Sequence, residues 1–256
     1  MTSPLVNLSH KRCQRVKVVA TDFDGTLTEN NQLTTSAIVA LSQLQTAGID
    51  VIIVTGRSAG WVNALRNYLP VAGAIAENGG LYYANAETSP DFLVSIPAIT
   101  EYRQELANVF QEIRRRFPHR QEATDNAFRF TDWTFDVAGL SVRDLEEIAN
   151  ICQKHGYSFT YSSVQCHIKP QEQDKAKGLQ TVLKQYFPQL TPEQILTIGD
   201  SPNDESLFNP ELFPLSVGVA NIKDYRQQLT YPPAYITEAA EGKGFFELSS
   251  YLTSAC

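Results

Sequence analysis

Two aspartates, one residue apart, close an apolar run in VVATDFDGTLT, residues 18–28. Carboxylates at Asp22 and Asp24 repel one another, so their proximity calls for a partner. Three more apolar runs end in polar residues: IDVIIV in Thr55-Gly56-Arg57, AGAIA in Glu77-Asn78, and ILTIG in Asp200, with Asn203 and Asp204 just behind. Taken singly, each is a commonplace junction, because Asp, Asn and Gly are frequent where a strand passes into a turn. Lys175, alone, reads as a solvated residue on the first turn of a helix. Their joint placement carries more. In an open parallel sheet the carboxyl ends of the strands line one edge, and ligands bind in the crevice there. Asp22, Thr55, Asn78 and Asp200 therefore converge on a single site.

Such a site crowds Asp22, Asp24, Asp200 and Asp204 together. Uncompensated carboxylates at that density raise one another's proton affinity at a real energetic cost. A hard cation with oxygen ligands removes the conflict, and Mg²⁺ suits carboxylates, waters and a substrate phosphate. Zinc fits poorly, since these positions offer neither thiol nor imidazole. Thr55, Lys175 and backbone N–H groups are left to hold other phosphate oxygens.

The elements that must position these residues follow from periodicity. A short strand ends near Thr21. Thr34 or Thr35 caps a helix whose Ile38, Leu41 and Leu44 share a face, ending at Gly48. IDVIIV is apolar throughout, as a strand covered on both faces of a parallel sheet should be. A helix through Trp61, Leu65 and Tyr68 and a strand at AGAIA complete a strand–helix alternation typical of α/β proteins. After Tyr83 the strands change character: FLVSI, AFRFT, WTFDV, YSFTYS and QCHI are aromatic and partly polar. With helices over about 101–116 and 143–155 they suit a sheet covered on one face. From Pro170 the α/β rhythm returns, with a helix over 175–187, strands ILTIG, LSVGV and AYIT, helices after Asp204 and over 222–229, and a closing helix from about Gly244. The expected fold is α/β: a Rossmann-like, doubly wound parallel sheet as the core (1–83 and 169–256) with an inserted α+β cap (84–168).

Composition narrows the partners. A 256-residue chain that is 43% hydrophobic supplies a sizeable core, and its formal net charge of -7 argues against general nucleic-acid binding. No signal-peptide pattern and no run of bilayer-spanning length occurs. Cys13, Cys152, Cys166 and Cys256 form no CxxC pair. The expectation is a cytoplasmic protein with reduced thiols, no membrane partner, and an oligomeric state that the sequence leaves open.

Four motifs, in order, resemble those of haloacid dehalogenase-like phosphatases: DFDGT (Asp22 to Thr26), the threonine of VTGR (Thr55), the lysine of DKAKGL (Lys175) and GDSPND (Gly199 to Asp204). The insertion between the second and third motifs resembles the subgroup with a large α/β cap, which includes Cof-type, sucrose-phosphatase-like and mannosyl-3-phosphoglycerate phosphatase-like enzymes. The resemblance implies Asp22 as nucleophile, forming an aspartyl-phosphate, and Asp24 as the acid that protonates the leaving alcohol. It implies Mg²⁺ held by Asp22, the Asp24 carbonyl and Asp200, with Asp204 as a ligand or an orienting partner. Phosphate contacts fall to Gly25, Thr55, Gly56, Arg57, Asn78, Lys175 and Asn203. The third motif departs from the usual KGxAL, its glycine being displaced to Gly178, so Lys177 competes with Lys175. The implied activity is Mg²⁺-dependent hydrolysis of a small phosphorylated metabolite, a sugar phosphate in the leading reading. A phosphomutase of the phosphomannomutase type and a catalytically silent binding protein are the alternatives. In the cap, Arg129, Trp133 and His167 are suited to contact a sugar or acid, though each has a structural explanation. The basic run Arg114 to Arg120 reads as a solvated helix end or an anion patch. Cys152 and His155 lack a second pair for a metal, and Cys166 and His167, adjacent on a strand, point to opposite faces.

Overall fold

A computed structural model describes residues 2–85, 87–162 and 164–254. The chain opens with β1 (Ser3–Pro4), a single turn α1 (His10–Cys13) and β2 (Val18–Thr21). A flap follows, β3 (Thr28–Glu29) and β4 (Gln32–Leu33), turned by Asn30 and Asn31 at φ 49° and 61°. Asparagine tolerates that left-handed region. Next come α2 (Thr35–Thr46), β5 (Asp50–Val54), α3 (Ala59–Arg66), β6 (Gly73–Ala76), β7 (Leu81–Ala84) and β8 (Asp91–Phe92). The insertion contains α4 (Ile99–Arg116), β9 (Trp133–Asp136), α5 (Val142–Lys154), β10 (Tyr157–Tyr161) and β11 (Gln165–Pro170). The chain returns through α6 (Lys175–Tyr186), β12 (Ile195–Gly199), β13 (Leu215–Gly218), β14 (Tyr235–Ile236) and α7 (Glu241–Ser254).

The large sheet has the order β1-β14-β13-β12-β2-β5-β6-β7-β8. It is parallel from β1 to β6, and β7 and β8 are antiparallel. Connections leave β2 toward β5 on one side, while β12 lies on its other side. The crevice above β2 is therefore a topological switch point, where such sheets bind ligands. Along β2, Val19 packs on one face with Leu41, Leu44, Val62 and Phe245, while Val18 and Ala20 pack on the other with Leu179 and Val182. Burial on both faces is why the central strands are apolar without alternation.

The cap sheet, β10-β11-β9, is antiparallel. Cys166 and Ile168 face Phe110, Ile113, Ile148 and Cys152 from α4 and α5. Their neighbours Gln165 and His167 face the other way, toward the core. Adjacent Cys166 and His167 thus serve opposite faces, as expected.

Several element assignments change. AFRFT is not a strand: Thr124–Phe128 is a 3₁₀ turn, and Arg129 enters the junction of cap and core. In FLVSI the described strand is β8, Asp91–Phe92, and it extends the core sheet through β7. The helices read after Asp204 and over 222–229 are 3₁₀ turns, Pro202–Phe208 and Ala220–Tyr225. Ile38 lies exposed while Leu41 and Leu44 form the buried face of α2, and Tyr68 lies exposed beyond the end of α3, whose buried face includes Val62. Cys13, Cys152 and Cys166 are buried and form no disulfide among the described residues, and burial pushes the Cys152 thiol up to about 12. Cys256 lies outside the described residues. Among the described residues, no helix is long and apolar enough to cross a membrane.

Candidate active site

β2 delivers Asp22 to the crevice and β12 delivers Asp200 beside it, both nearly buried. The Lys175 ammonium, on the first turn of α6, donates to Asp22 Oδ1 and to Asp204 Oδ1, each at 2.6 Å. Asp174 caps that helix by accepting from Lys177 N at 2.9 Å, and the Lys177 side chain stays exposed. Of the two candidate lysines, Lys175 is the one at the carboxylates. Asp204 Oδ2 accepts from the backbone N of Asp200 and of Ser201, at 3.0 and 3.1 Å. This lateral grip fixes the turn that carries Asp200.

Oxygens of Asp22, Asp200 and Asp204 lie within 4.8 Å of one another. Three buried carboxylates face one buried ammonium, which leaves two negative charges unmatched when all ionise. Burial, and then Asp204, push Asp22 up to about 7 despite Lys175. Burial and Asp22 likewise raise Asp200. Burial pulls Lys175 down, but Asp204 and Asp22 outweigh it and raise its pKa. An all-oxygen donor set with two surplus charges fits Mg²⁺. Asp200 is held ready for it: Thr26 Oγ1 and Asn221 Nδ2 each donate to it at 3.1 Å.

A cavity of about 20 Å³ opens above Asp22, bounded by Asp24, Thr55, Gly56, Arg57 and Asn203 from the core and by Gln165 and His167 from the cap. Asp24 is gripped by Arg57 through two bonds, Nε to Oδ2 at 2.7 Å and Nη2 to Oδ1 at 2.6 Å. The sequence placed Arg57 among the phosphate contacts; instead its fork is committed to Asp24 and its guanidinium lies over Trp61. Thr55 Oγ1 accepts from Arg57 N at 3.2 Å and keeps its own proton to donate.

The turn after β6 joins cap to core. Glu77 and Asn78 both take φ 54°, and Gly79 takes φ 100°. Fully buried Glu77 accepts from Ala59 N at the start of α3, from Phe130 N, and from Thr131 N and Oγ1. Burial and Asp132 push it up to about 7, against Arg129 and the amides of Thr131 and Ala59. Arg129, with no exposed side-chain surface, donates to Gly56 O, Asp132, Asp125 and Gln165. His167 Nδ1 meets Asp132 Oδ2 at 2.8 Å. Arg129 is thus structural. Trp133 packs in the cap under Arg103 and does not bound the cavity, whereas His167 does. Nor does the Arg114–Arg120 run; Arg116 pairs with Glu147 and Arg120 with Asp136.

Sequence reasoning missed Asn221, which donates to both Asp200 and the Gly25 carbonyl. The signal was present, because Asn221 follows β13 at the same edge of the sheet. It placed Glu77 in a strand-end turn suited to substrate contacts but missed its grip on the cap, which depends on donors from a segment more than fifty residues away.

The model of the haloacid dehalogenase-like hydrolases matches residues 19–90 and 100–231. A phosphoglycolate phosphatase of Thermoplasma volcanium is 28% identical over 200 residues, covering 77% of this chain and 83% of its own. The crystal structure of Thermoplasma acidophilum 0175 superposes with a TM-score of 0.76 at 21% identity, covering 94% of this chain and 99% of that one. The C-terminal domain of C. albicans trehalose-6-phosphate phosphatase does so at 0.73 and 14% identity, covering 99% and 98%. The last two establish the fold alone. The chain belongs to the haloacid dehalogenase-like hydrolases and is a phosphatase of small phosphorylated substrates.

Proposed function

We propose that the protein hydrolyses a phosphate monoester of a small metabolite, with a sugar phosphate as the leading class, through an aspartyl-phosphate on Asp22 and with Mg²⁺ as cofactor. One observation carries the reading: Asp22, bridged to Asp204 by Lys175 and adjacent to Asp200, opens onto a cavity shared with Asp24 and Thr55. An oxygen of Asp22 attacks phosphorus while the ester P–O bond breaks. Asp24 gives a proton to the leaving alcohol oxygen, then takes one from the water that cleaves the acyl phosphate. Arg57 positions Asp24 and releases one of its oxygens for that transfer. Thr55 Oγ, the backbone at Gly25 and Gly56, and Lys175 hold phosphoryl oxygens, with Asn78 and Asn203 at the margin. Asp22, the Asp24 carbonyl and Asp200 would hold Mg²⁺, and Asp204 orients them. The bound ion would neutralise charge on the phosphoryl group, where positioning and electrostatics dominate the chemistry.

The test is phosphate release from a panel of phosphorylated sugars and acids, with Mg²⁺ and with a chelator. Release requires Mg²⁺, and Asp22→Asn lowers kcat by at least about a thousandfold. Undiminished activity in Asp22→Asn overturns the mechanism. Stoichiometric transfer from a hexose 1,6-bisphosphate without free phosphate overturns hydrolysis in favour of a mutase.

A further inference from the structure

β11 turns one imidazole out of the cap core and into the cavity. His167 is 2% exposed, yet it bounds the space above Asp22. Its Nδ1 is engaged by Asp132, and Nε2 makes no hydrogen bond among the described residues. Beside it stands the Asn78 amide, buried, with neither Oδ1 nor Nδ2 partnered. His167 Cε1 and both polar atoms of that amide lie 3.1 Å from the point where a side chain on Gly56 would begin. The imidazole, which bounds the cavity, and the unpartnered amide, which lies behind Gly56, thus meet across the bare backbone of Gly56.

The geometry points to a hydroxyl-reading subsite for the leaving group, in which His167 Nε2 accepts a substrate O–H, with the unpartnered Asn78 amide beside the ring across Gly56. The class it selects is a phosphate ester of a polyhydroxy alcohol, a sugar or polyol, in preference to a phosphorylated carboxylic acid. This rests on the phosphatase reading above and adds to it the residue that chooses the ester.

The polarity of Nε2 follows from what surrounds Nδ1. Asp132 is fully buried against Arg129, whose Nη1 reaches both of its oxygens at 3.0 Å, so the carboxylate is ionised and accepts the Nδ1 proton. Burial lowers His167 and keeps the ring neutral, which leaves Nε2 a bare lone pair. A lone pair welcomes a hydroxyl and repels a carboxylate. The guanidiniums nearby are largely engaged, Arg129 Nε being unpartnered but buried. Arg57 is forked onto Asp24, and both terminal nitrogens of Arg129 are bonded to protein acceptors. Buried polar groups left unpaired by the wrong ligand are what give such sites their discrimination.

The experiment compares kcat/KM for glycerol 1-phosphate and glucose 6-phosphate with that for 2-phosphoglycolate, at fixed Mg²⁺, in the wild type, His167→Ala and His167→Gln. The wild type favours the hydroxylated esters by at least about tenfold. His167→Ala erodes that ratio by about 10–100-fold, mainly through KM, and His167→Gln, which keeps an acceptor, restores part of it. A wild type that prefers phosphoglycolate overturns the subsite whether or not the variants fold, as does an unchanged ratio in His167→Ala. Hydrolysis of p-nitrophenyl phosphate separates the two levels. If Mg²⁺- and Asp22-dependent turnover of that ester is present while the ratio fails, only the subsite falls; if that turnover is absent, the underlying mechanism falls with it.

Discussion

A methyl group on Gly25 would arrive 2.6 Å from Asp200 Oδ2, on a backbone held at φ +79°. Both conditions exclude a side chain, since the left-handed region costs about 1–2 kcal/mol for residues with a Cβ and the carboxylate has no room to retreat. Gly25→Ala should therefore lose about 1–3 kcal/mol of stability in denaturant titrations and weaken Mg²⁺ affinity measured by calorimetry, by pushing Asp200 away from Asp22. A Gly25→Ala variant that binds Mg²⁺ as the wild type does would show that Asp200 lies outside the metal site. At this scale the sequence was readable where a residue ends a strand of the parallel sheet, because the edge is common to all of them. Asp22, Thr55, Asn78 and Asp200 all reached it. The sequence was opaque where one polar side chain is taken up by another. Arg57 carries the same charge whether it meets a phosphate or Asp24, and only the fold decides between them.

Helix α6 lies against the Glu77–Gly80 turn with almost no clearance. A Cβ on Gly178 would meet Gly79 Cα at 2.7 Å, and one on Gly79 would strike the Asp174 carbonyl. The glycine that departs from the expected KGxAL register is therefore the contact that lets α6 bring Lys175 beneath Asp22. Replacing it with valine should separate helix and turn, with a loss of about 1–3 kcal/mol in unfolding experiments and a fall in kcat of at least about tenfold, as Lys175 leaves its two carboxylates. Full activity in Gly178→Val would sever the packing from the chemistry. Element types along the core were legible from apolar runs and helical periodicity. The cap strands were harder. The alternation in AFRFT resembles a strand, but Arg129 is drawn into the cap–core junction by Asp132 and Asp125, a tertiary demand that periodicity cannot encode.

For the whole molecule, the raised carboxylates tie stability to pH and metal. Asp22, at about 7, and Asp200, also raised, hold protons more tightly folded than unfolded. Their contribution is fully present below about pH 4, the unfolded range, and is lost as pH rises through about 7. Mg²⁺ held as proposed would compete with those protons and take over their role once they leave. The increase in Tm on adding Mg²⁺ should thus grow between about pH 5.5 and 8, and the growth should shrink in Asp22→Asn; an increment constant with pH would refute the linkage. A cavity of about 20 Å³ has room for about one water, less than a phosphate ester occupies. Any displacement of the cap would bear on a carboxylate that both parts share. Glu77 belongs to the core, but three of its four donors, the amides of Phe130 and Thr131 and the Thr131 hydroxyl, belong to the insertion. A chimera carrying a foreign cap would leave Glu77 with the Ala59 amide alone, a buried carboxyl stripped of most of its donors. Position 77 therefore has to be transplanted together with any new cap, which makes it part of the insertion's inheritance although it lies outside the insertion in sequence.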